Sequence, residues 1–461
     1  MKKATVIISF IFSICITTAF VQQLNNEEKP YYIPASTQQI GDIANGYVYL
    51  TTGDFLKSGV PYNNFIFLNG KDKNNYLNRT GKNANVEQGF NVITNKDGID
   101  IVIPTCLQCH SQVFDDSLYV GMGNSFIDFS NIGKQNNIVS DIAIKAMQTF
   151  NPKGYAAAKP LITSFKAVFP NMETEVRGVN AADRLAILLV AHRDPITLAW
   201  SKEPILNYPD ETIPTDVPAW WMLKKKNAMF YNGFGRGDFG RFLMLSNLLT
   251  VKDTAEAREV YNHFGDVLAY IKSIEPPKYP KPINEELAIT GETIFINNCS
   301  KCHGTYGANE TYPNLLIPSN IIQTDSLLFK ANYQNPQFID WFNKSWFAQE
   351  PFAAKLVPTN GYVAPPLDGV WSTAPYFHNG SIPNLEAVIN SKIRPTFWSR
   401  NFNKPKYNFE QLGWEFEVHE TANKKKYYNT TLKGYGNYGH YFGDKLTDTE
   451  RKALLEYLKT L

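Results

Sequence analysis

Two stretches set the helical rhythm of the second half of the chain. After Asn284, a residue suited to cap a helix, Glu285 and Glu286 fill a first turn, and Leu287, Gly291, Ile294 and Phe295 follow at helical spacing up to Cys299. At the end of the chain, Thr447-Asp448-Thr449-Glu450 reads as a capping box, and Leu454, Leu458 and Leu461 form one apolar stripe. "YIKSI" (270–274) closes an amphipathic segment in the first half much as "YLKTL" (457–461) closes the second. Between the halves lies "EPPKYPKP" (275–282), whose prolines forbid a continuous helix and stiffen the chain. Elsewhere the pattern is irregular. Tyr/Val/Ile-rich runs such as "GYVYLTTG" (46–53) suggest small strands, and the Asn/Lys-rich stretches 63–97 and 420–439 suggest long loops. The expected fold is mainly α: two helical domains with long loops and a few short strands.

The N-terminus changes the picture of where the chain works. Met1-Lys2-Lys3 is followed by an uncharged apolar run from Ala4 to Phe20, the pattern of an export signal, with Thr17 and Ala19 as small residues for cleavage. Residues 1–22 are therefore read as a signal peptide, 23–275 as the first domain, 276–283 as a Pro-rich linker and 284–461 as the second domain, in a periplasmic or secreted protein. A membrane anchor is the lesser alternative. A chain of 461 residues exceeds one ordinary core, and 43% apolar with 14% aromatic residues suffices for two. Lys and Arg number 45 against 43 Asp and Glu, and no basic stripe stands out, so nucleic acid is excluded as a partner.

Cysteine usage carries the chemistry. Of five cysteines, Cys15 lies in the apolar leader, and the other four occupy "CLQCH" (106–110) and "CSKCH" (299–303). On one turn, residues three and four apart share a face, so Cys106, Cys109 and His110 address one object, as do Cys299, Cys302 and His303. A haem fits: two thiols form thioethers to its vinyl groups and the adjacent imidazole binds iron. A zinc ribbon would place its cysteine pairs about 15–20 residues apart, far closer than Cys109 and Cys299. A thioredoxin-type dithiol has no use for a following histidine, written twice. The cofactors are thus two covalently attached haem c groups. From the first cysteine of each motif to the tyrosine of "YIKSI" or "YLKTL" the two halves have nearly equal lengths, so the domains read as two cytochrome c-like helical modules.

The second axial ligand of each iron decides between electron transfer and reaction with a small molecule. All seven methionines precede Cys299, so a ligand from within the second module is a histidine: His440 in "YGNYGHYFG", a flexible Gly/Tyr loop, ahead of His378 in "APYFHNGS" and His419. For the first haem, Met122, His192 and His263 read as packing residues, which favours an open or weakly ligated iron. Trp220 and Trp221 beside Lys224–Lys226, and Trp371 in "LDGVW", read as core rather than as a haem wall or relay.

"APPLDGVWSTAPYFHNGSIPNLEAVI" (364–389) and the closing "GHYFG" with "LTDTERKALLEYLKTL", together with the two motifs, resemble the superfamily of di-haem bacterial cytochrome c peroxidases and extracellular rubber oxygenases. "LDGVW" is more similar to the rubber oxygenase branch, since the peroxidases generally carry an Arg-Asn pair there. The resemblance implies an N-terminal haem that meets dioxygen, and a C-terminal haem ligated by its motif histidine and a histidine near the C-terminus, which match His303 and His440. The peroxidases' C-terminal methionine ligand has no counterpart here, and the chain is shorter than the rubber oxygenases, so polymer cleavage does not follow. Calcium between domains is a family habit for which no acidic loop can be named. The expectation is a di-haem oxidoreductase whose first haem meets peroxide or dioxygen and whose second exchanges electrons with a small redox protein or a quinol-linked partner. The rival is a pure electron carrier. No catalytic side chain, substrate or oligomeric state can be assigned.

Overall fold

The computed structural model describes residues 29–114, 116–132, 138–422 and 425–461. The leader assigned to residues 1–22 lies outside them. Among the described residues no helix is long and apolar enough to cross a membrane.

Two helix pairs organise the chain. In the second half, α3 (Glu285–Asn298) packs on α4 (Asp448–Leu458), and in the first half α1 (Ile43–Thr52) packs on α2 (Phe264–Ser273). Local chemistry starts these helices as read. The Asn284 side chain accepts from the Leu287 amide, and Thr447 and Glu450 form the reciprocal capping box. Both crossings use the same device. A methyl at Gly291 would overlap the Ala453 carbonyl oxygen and stand 2.9 Å from Cβ of Tyr457, and one at Gly46 would overlap the Asp266 carbonyl and stand 2.9 Å from Cβ of Tyr270. In each pair a glycine therefore brings two backbones together one turn before a tyrosine. This crossing overrides local propensity in "GYVYLTTG": the expected strand is most of α1, because Gly46 and Leu50, four apart, must face α2. Asp42 caps α1 and draws it onto α2, accepting from Asn45 and donating its own amide to Asp266.

The mainly helical expectation is corrected. The described residues are about 40% helical and 14% strand, a mixed architecture with several small sheets. The polar stretches expected to be loops are largely so, but each also contributes a strand, Phe90–Thr94 and Tyr428–Asn429, too short to signal itself by periodicity. Phe90–Thr94 pairs with Asp100–Pro104, which also takes Val60–Pro61, just before the first motif. The hairpin Ser111–Phe114 with Ser117–Val120 follows it immediately. In the second half, Leu315–Pro318 lies between Tyr31–Tyr32 and Gly361–Val363, and Phe397–Arg400 between Phe416–Val418 and Tyr428–Asn429.

The chain is non-helical through 275–284, with a bend at Lys281, as the prolines require. Both large cores nevertheless draw on both sides of this segment. One joins Leu50, Leu107 and Phe264 to Trp341, Trp346 and Leu356; the other joins Phe114, Met122 and Trp221 to Trp371, Trp414 and Leu454.

Candidate functional site

Helix α3 delivers the second motif. Cys299 is its C-cap, its amide bonded to the Phe295 carbonyl, and Ser300–His303 add one further turn that stops at Gly304, where φ is +81° and a side chain would strike the Thr311 carbonyl. The His303 ring is oriented by Nδ1, which lies 2.8 Å from the Pro365 carbonyl oxygen. A carbonyl only accepts, so Nδ1 carries the proton and Nε2 keeps a free lone pair. Tyr306 braces the turn, donating to the His303 carbonyl and accepting from the Leu367 amide at 2.6 Å.

His440 faces His303. Their ring centres are 6.2 Å apart with the planes at 62°. The loop that brings it there is tightly held, a correction to the flexible loop expected from its glycines. Gly439 has φ +84° and packs so closely on the Gln323–Thr324 backbone that no side chain fits, while His440 itself has φ +50° and donates its amide to the Ile322 carbonyl at 2.8 Å. Nδ1 of His440 is buried with no hydrogen-bond partner in the protein.

Cys299, Cys302, His303 and His440 line one cavity of about 460 Å³. Phe295, Phe377, Val388, Leu454 and Leu458 supply apolar wall; Asp216, Tyr231, Tyr362 and His378 supply a polar end. The size is that of a pocket for a sizeable organic ligand. Among the described residues no three His, Cys, Asp or Glu side chains close on one point as a bare metal ion would require, and no cluster for calcium is found. Burial holds His440 near a pKa of about 3, helped by His303, and lowers His303 as well, so both imidazoles stay neutral. Burial pushes the Cys299 thiol up to about 11.

The other histidines of this half have different tasks. His378 is buried, stacked on Tyr362, with its Nε2 at 3.0 Å from the Tyr362 hydroxyl. His419 stacks on Tyr427 and bonds to Ser399 at 2.7 Å.

The first motif occupies a 3-10 turn, Cys106–Gln108, between two strands rather than the end of a long helix. Thr105 caps it by accepting from the Leu107 amide, and the Cys106 carbonyl gathers the amides of Cys109 and His110. The His110 imidazole lies flat on Trp220, ring centres 4.5 Å apart at 18°, beside the Pro218 carbonyl. Burial takes its pKa down to about 3. Asn180 donates to the Cys109 sulfur at 3.5 Å, and burial raises both thiols. All four motif cysteines are unpaired. Met122 is buried in the core with Phe114 and Trp221, His192 bonds the Ser201 carbonyl and stacks on Trp200, and His263 stacks on Tyr49. Trp220 thus touches the site, against the expectation of core alone, whereas Trp221 and Trp371 are core residues, their indoles donating to the carbonyls of Asp368 and Pro277.

The chain between residues 216 and 222 links the two motifs. Pro218 and Trp220 meet His110, while Asp216, Val217, Pro218, Ala219 and Met222 line the cavity of the second motif. No local pattern announces this, nor the part played by the Pro365 carbonyl; only "WW" stands out in the sequence.

Comparison with known proteins bears on the same wall. The uncharacterized protein y4iM of Sinorhizobium fredii (strain NBRC 101917 / NGR234) is 27% identical over 285 residues, 53% of this chain and 64% of that protein. A second uncharacterized protein of that organism, y4iJ, is 37% identical over 111 residues, 22% of this chain and 18% of its own length. The match thus spans less than two thirds of either relative. Residues 361–399, which include the Pro365 carbonyl under His303 and the Phe377, Leu385 and Val388 wall, match the family described as "RoxA-like, cytochrome c-like", and the match supports a rubber oxygenase-like cytochrome and suggests haem c as its cofactor.

Proposed function

We propose that this chain is an exported di-haem c-type cytochrome that acts as an oxidoreductase. One observation carries the proposal: Cys299, Cys302 and His303, adjacent in sequence, and His440, remote from them, converge on a single apolar cavity. Two imidazole nitrogens each about 2.0 Å from one metal leave ring centres roughly 6 Å apart, and the His303 and His440 rings are 6.2 Å apart. When bound, haem supplies one-electron transfer and, where an axial position is open, reaction with dioxygen or peroxide.

The residues of this chain do the rest. Cys299 and Cys302 anchor the group covalently. The Pro365 carbonyl holds the proton of His303 on Nδ1, so that Nε2 is available as a ligand, and burial keeps His440 neutral for the same purpose. Phe295, Phe377, Leu454 and Leu458 exclude water, which suits electron transfer. At the first motif Cys106 and Cys109 anchor and His110 ligates. Met122, His192 and His263 are engaged in the core, by the Ser201 carbonyl and by Tyr49, respectively, which supports an iron with one protein ligand and hence the reactive site. The 216–222 segment provides a packed connection between the sites, and a haem held at the second motif would exchange electrons with a small redox protein or a quinol-linked partner.

The test uses protein expressed with cytochrome c maturation and exported. Intact mass should show two haem additions, with one lost in C106A/C109A and one in C299A/C302A; a single addition or none refutes the proposal. Carbon monoxide should bind about half of the reduced haem. No binding would replace the oxidoreductase with an electron carrier closed at both irons.

A further inference from the structure

Arg394 was not singled out by any motif, yet it is the most heavily committed cation near the second site. Nε donates to the Ala387 carbonyl at 2.9 Å and Nη2 to the Val388 carbonyl at 3.0 Å, both in the short helix Leu385–Ile389, whose Leu385, Val388 and Ile389 line the cavity. Nη1 donates to the carbonyls of Asn437 at 2.8 Å and Gly439 at 2.7 Å, and Nη2 reaches the His440 carbonyl at 3.4 Å. The guanidinium also lies over the Phe377 ring, 5.2 Å from its centre, and Phe377 stands 6.1 Å from the His440 ring. A second tether holds the other side of the loop, where Asp444 accepts from the Ser391 amide at 2.8 Å and from its hydroxyl at 2.6 Å.

We propose that Arg394 is the positioning residue for His440: it clamps the loop that carries this ligand to the helix that walls the cavity, and so sets how firmly the sixth position of the second haem is closed. The inference rests on His440 being that ligand. The physical need is plain. Gly439 and His440 both sit at positive φ, a conformation that costs a non-glycine residue of order 1 kcal/mol or more and persists only where surrounding contacts impose it. The carbonyls that turn inward in such a loop need donors, and only Arg presents five N–H groups in a fixed planar fork. The site at the end of the Leu385–Ile389 helix also suits a cation, since exposed carbonyl dipoles collect there. Lysine keeps the charge but cannot span two segments at once.

The test compares the haem-loaded wild type with R394K, R394A and H440A by low-temperature spin-state spectroscopy of the oxidised protein and by carbon monoxide binding to the reduced protein. H440A should convert the second haem to high spin and open it to carbon monoxide; if its spectrum is unchanged, the ligand reading itself falls and this inference with it. With H440A open, R394A should raise the rate of carbon monoxide binding at the second haem by about tenfold or more, the factor for losing a single hydrogen bond to a charged group, with R394K between R394A and wild type. Wild-type rates and spin state in R394A, beside an open H440A, overturn the clamp. Should R394A not fold, R394K decides: a wild-type rate in that variant overturns the inference. Merely structural loss would lower the melting temperature without moving spin state or ligand entry.

Discussion

Gly291→Ala sets two principles against each other at one atom. In an exposed helix the change stabilises by about 0.5–1 kcal/mol, since glycine loses the most conformational freedom on folding. Here the new methyl would overlap the Ala453 carbonyl oxygen and press on Tyr457 Cβ at 2.9 Å. Neither neighbour can yield alone, because both belong to the interior of α4. Restoring an ordinary carbon–oxygen contact of about 3.3–3.6 Å forces α3 and α4 apart by more than roughly 1 Å. Overpacking of this kind costs about 1–3 kcal/mol, so the net effect is destabilising despite the better helix former. Because Phe295, Leu454 and Leu458 on these helices wall the cavity and Cys299 ends α3, the second haem should report the shift. Denaturant midpoints of the haem-loaded protein, followed by circular dichroism and by haem absorbance, measure it. Thr290→Ala, next door on the exposed face, is the control and should be neutral or stabilising by a few tenths of a kcal/mol. A midpoint for G291A equal to or above wild type would refute the close crossing as the reason for this glycine.

Acid should weaken the fold. His110, His378 and His440 are held near pKa 3 by burial and His303 is lowered too, so the unfolded chain takes up their protons below about 6.5 while the native chain does not; their contribution is complete above that pH and is lost as pH falls towards 3. Asp216, raised to about 7, Asp183, raised to about 6, and Glu256, also raised, all by burial, act the other way, being most favourable when protonated at low pH. Four imidazoles outweigh three carboxyls, and the proposed ligation by iron would add to the imidazole side, so a urea midpoint that stays level or rises from pH 6.5 to 4.5 contradicts the assignment. Asn379→Ala should cost about 1–3 kcal/mol, because this fully buried amide donates to the Gly434 and Gly436 carbonyls, and Asn379→Asp should cost more by facing both with an acceptor; equal melting temperatures for the two variants would contradict that orientation. Trp221→Phe removes the indole donor to the Asp368 carbonyl that joins the two halves of the chain, and its melting temperature should fall while both haems remain attached; an unchanged melting temperature would show the bond contributes little.

The candidate site was legible where its chemistry is local. Two thiols and an imidazole within five residues can meet one haem on any turn, helical or 3-10, so both motifs are recognisable although one ends a helix and the other sits between strands. Capping at Asn284 and Thr447 was legible for the same reason, since cap and partner lie three residues apart. Absence also informed: with no methionine after Cys299, the field narrowed to three histidines.

What lay beyond local spacing was decided by closure of the whole chain. "GYVYLTTG" has strand-forming side chains, yet it is helix because Gly46 is needed against Asp266 more than two hundred residues away. The sheets came from pairings between segments too short to carry a period of their own. Composition could not choose among His378, His419 and His440; the first two are engaged by Tyr362 and Ser399, and the third is brought opposite His303 by Gly439, the Ile322 carbonyl and Arg394. The physical reason is range: bonds made within one turn are written in adjacent letters, whereas a histidine delivered from the far end of the chain depends on every contact that folds the loop back.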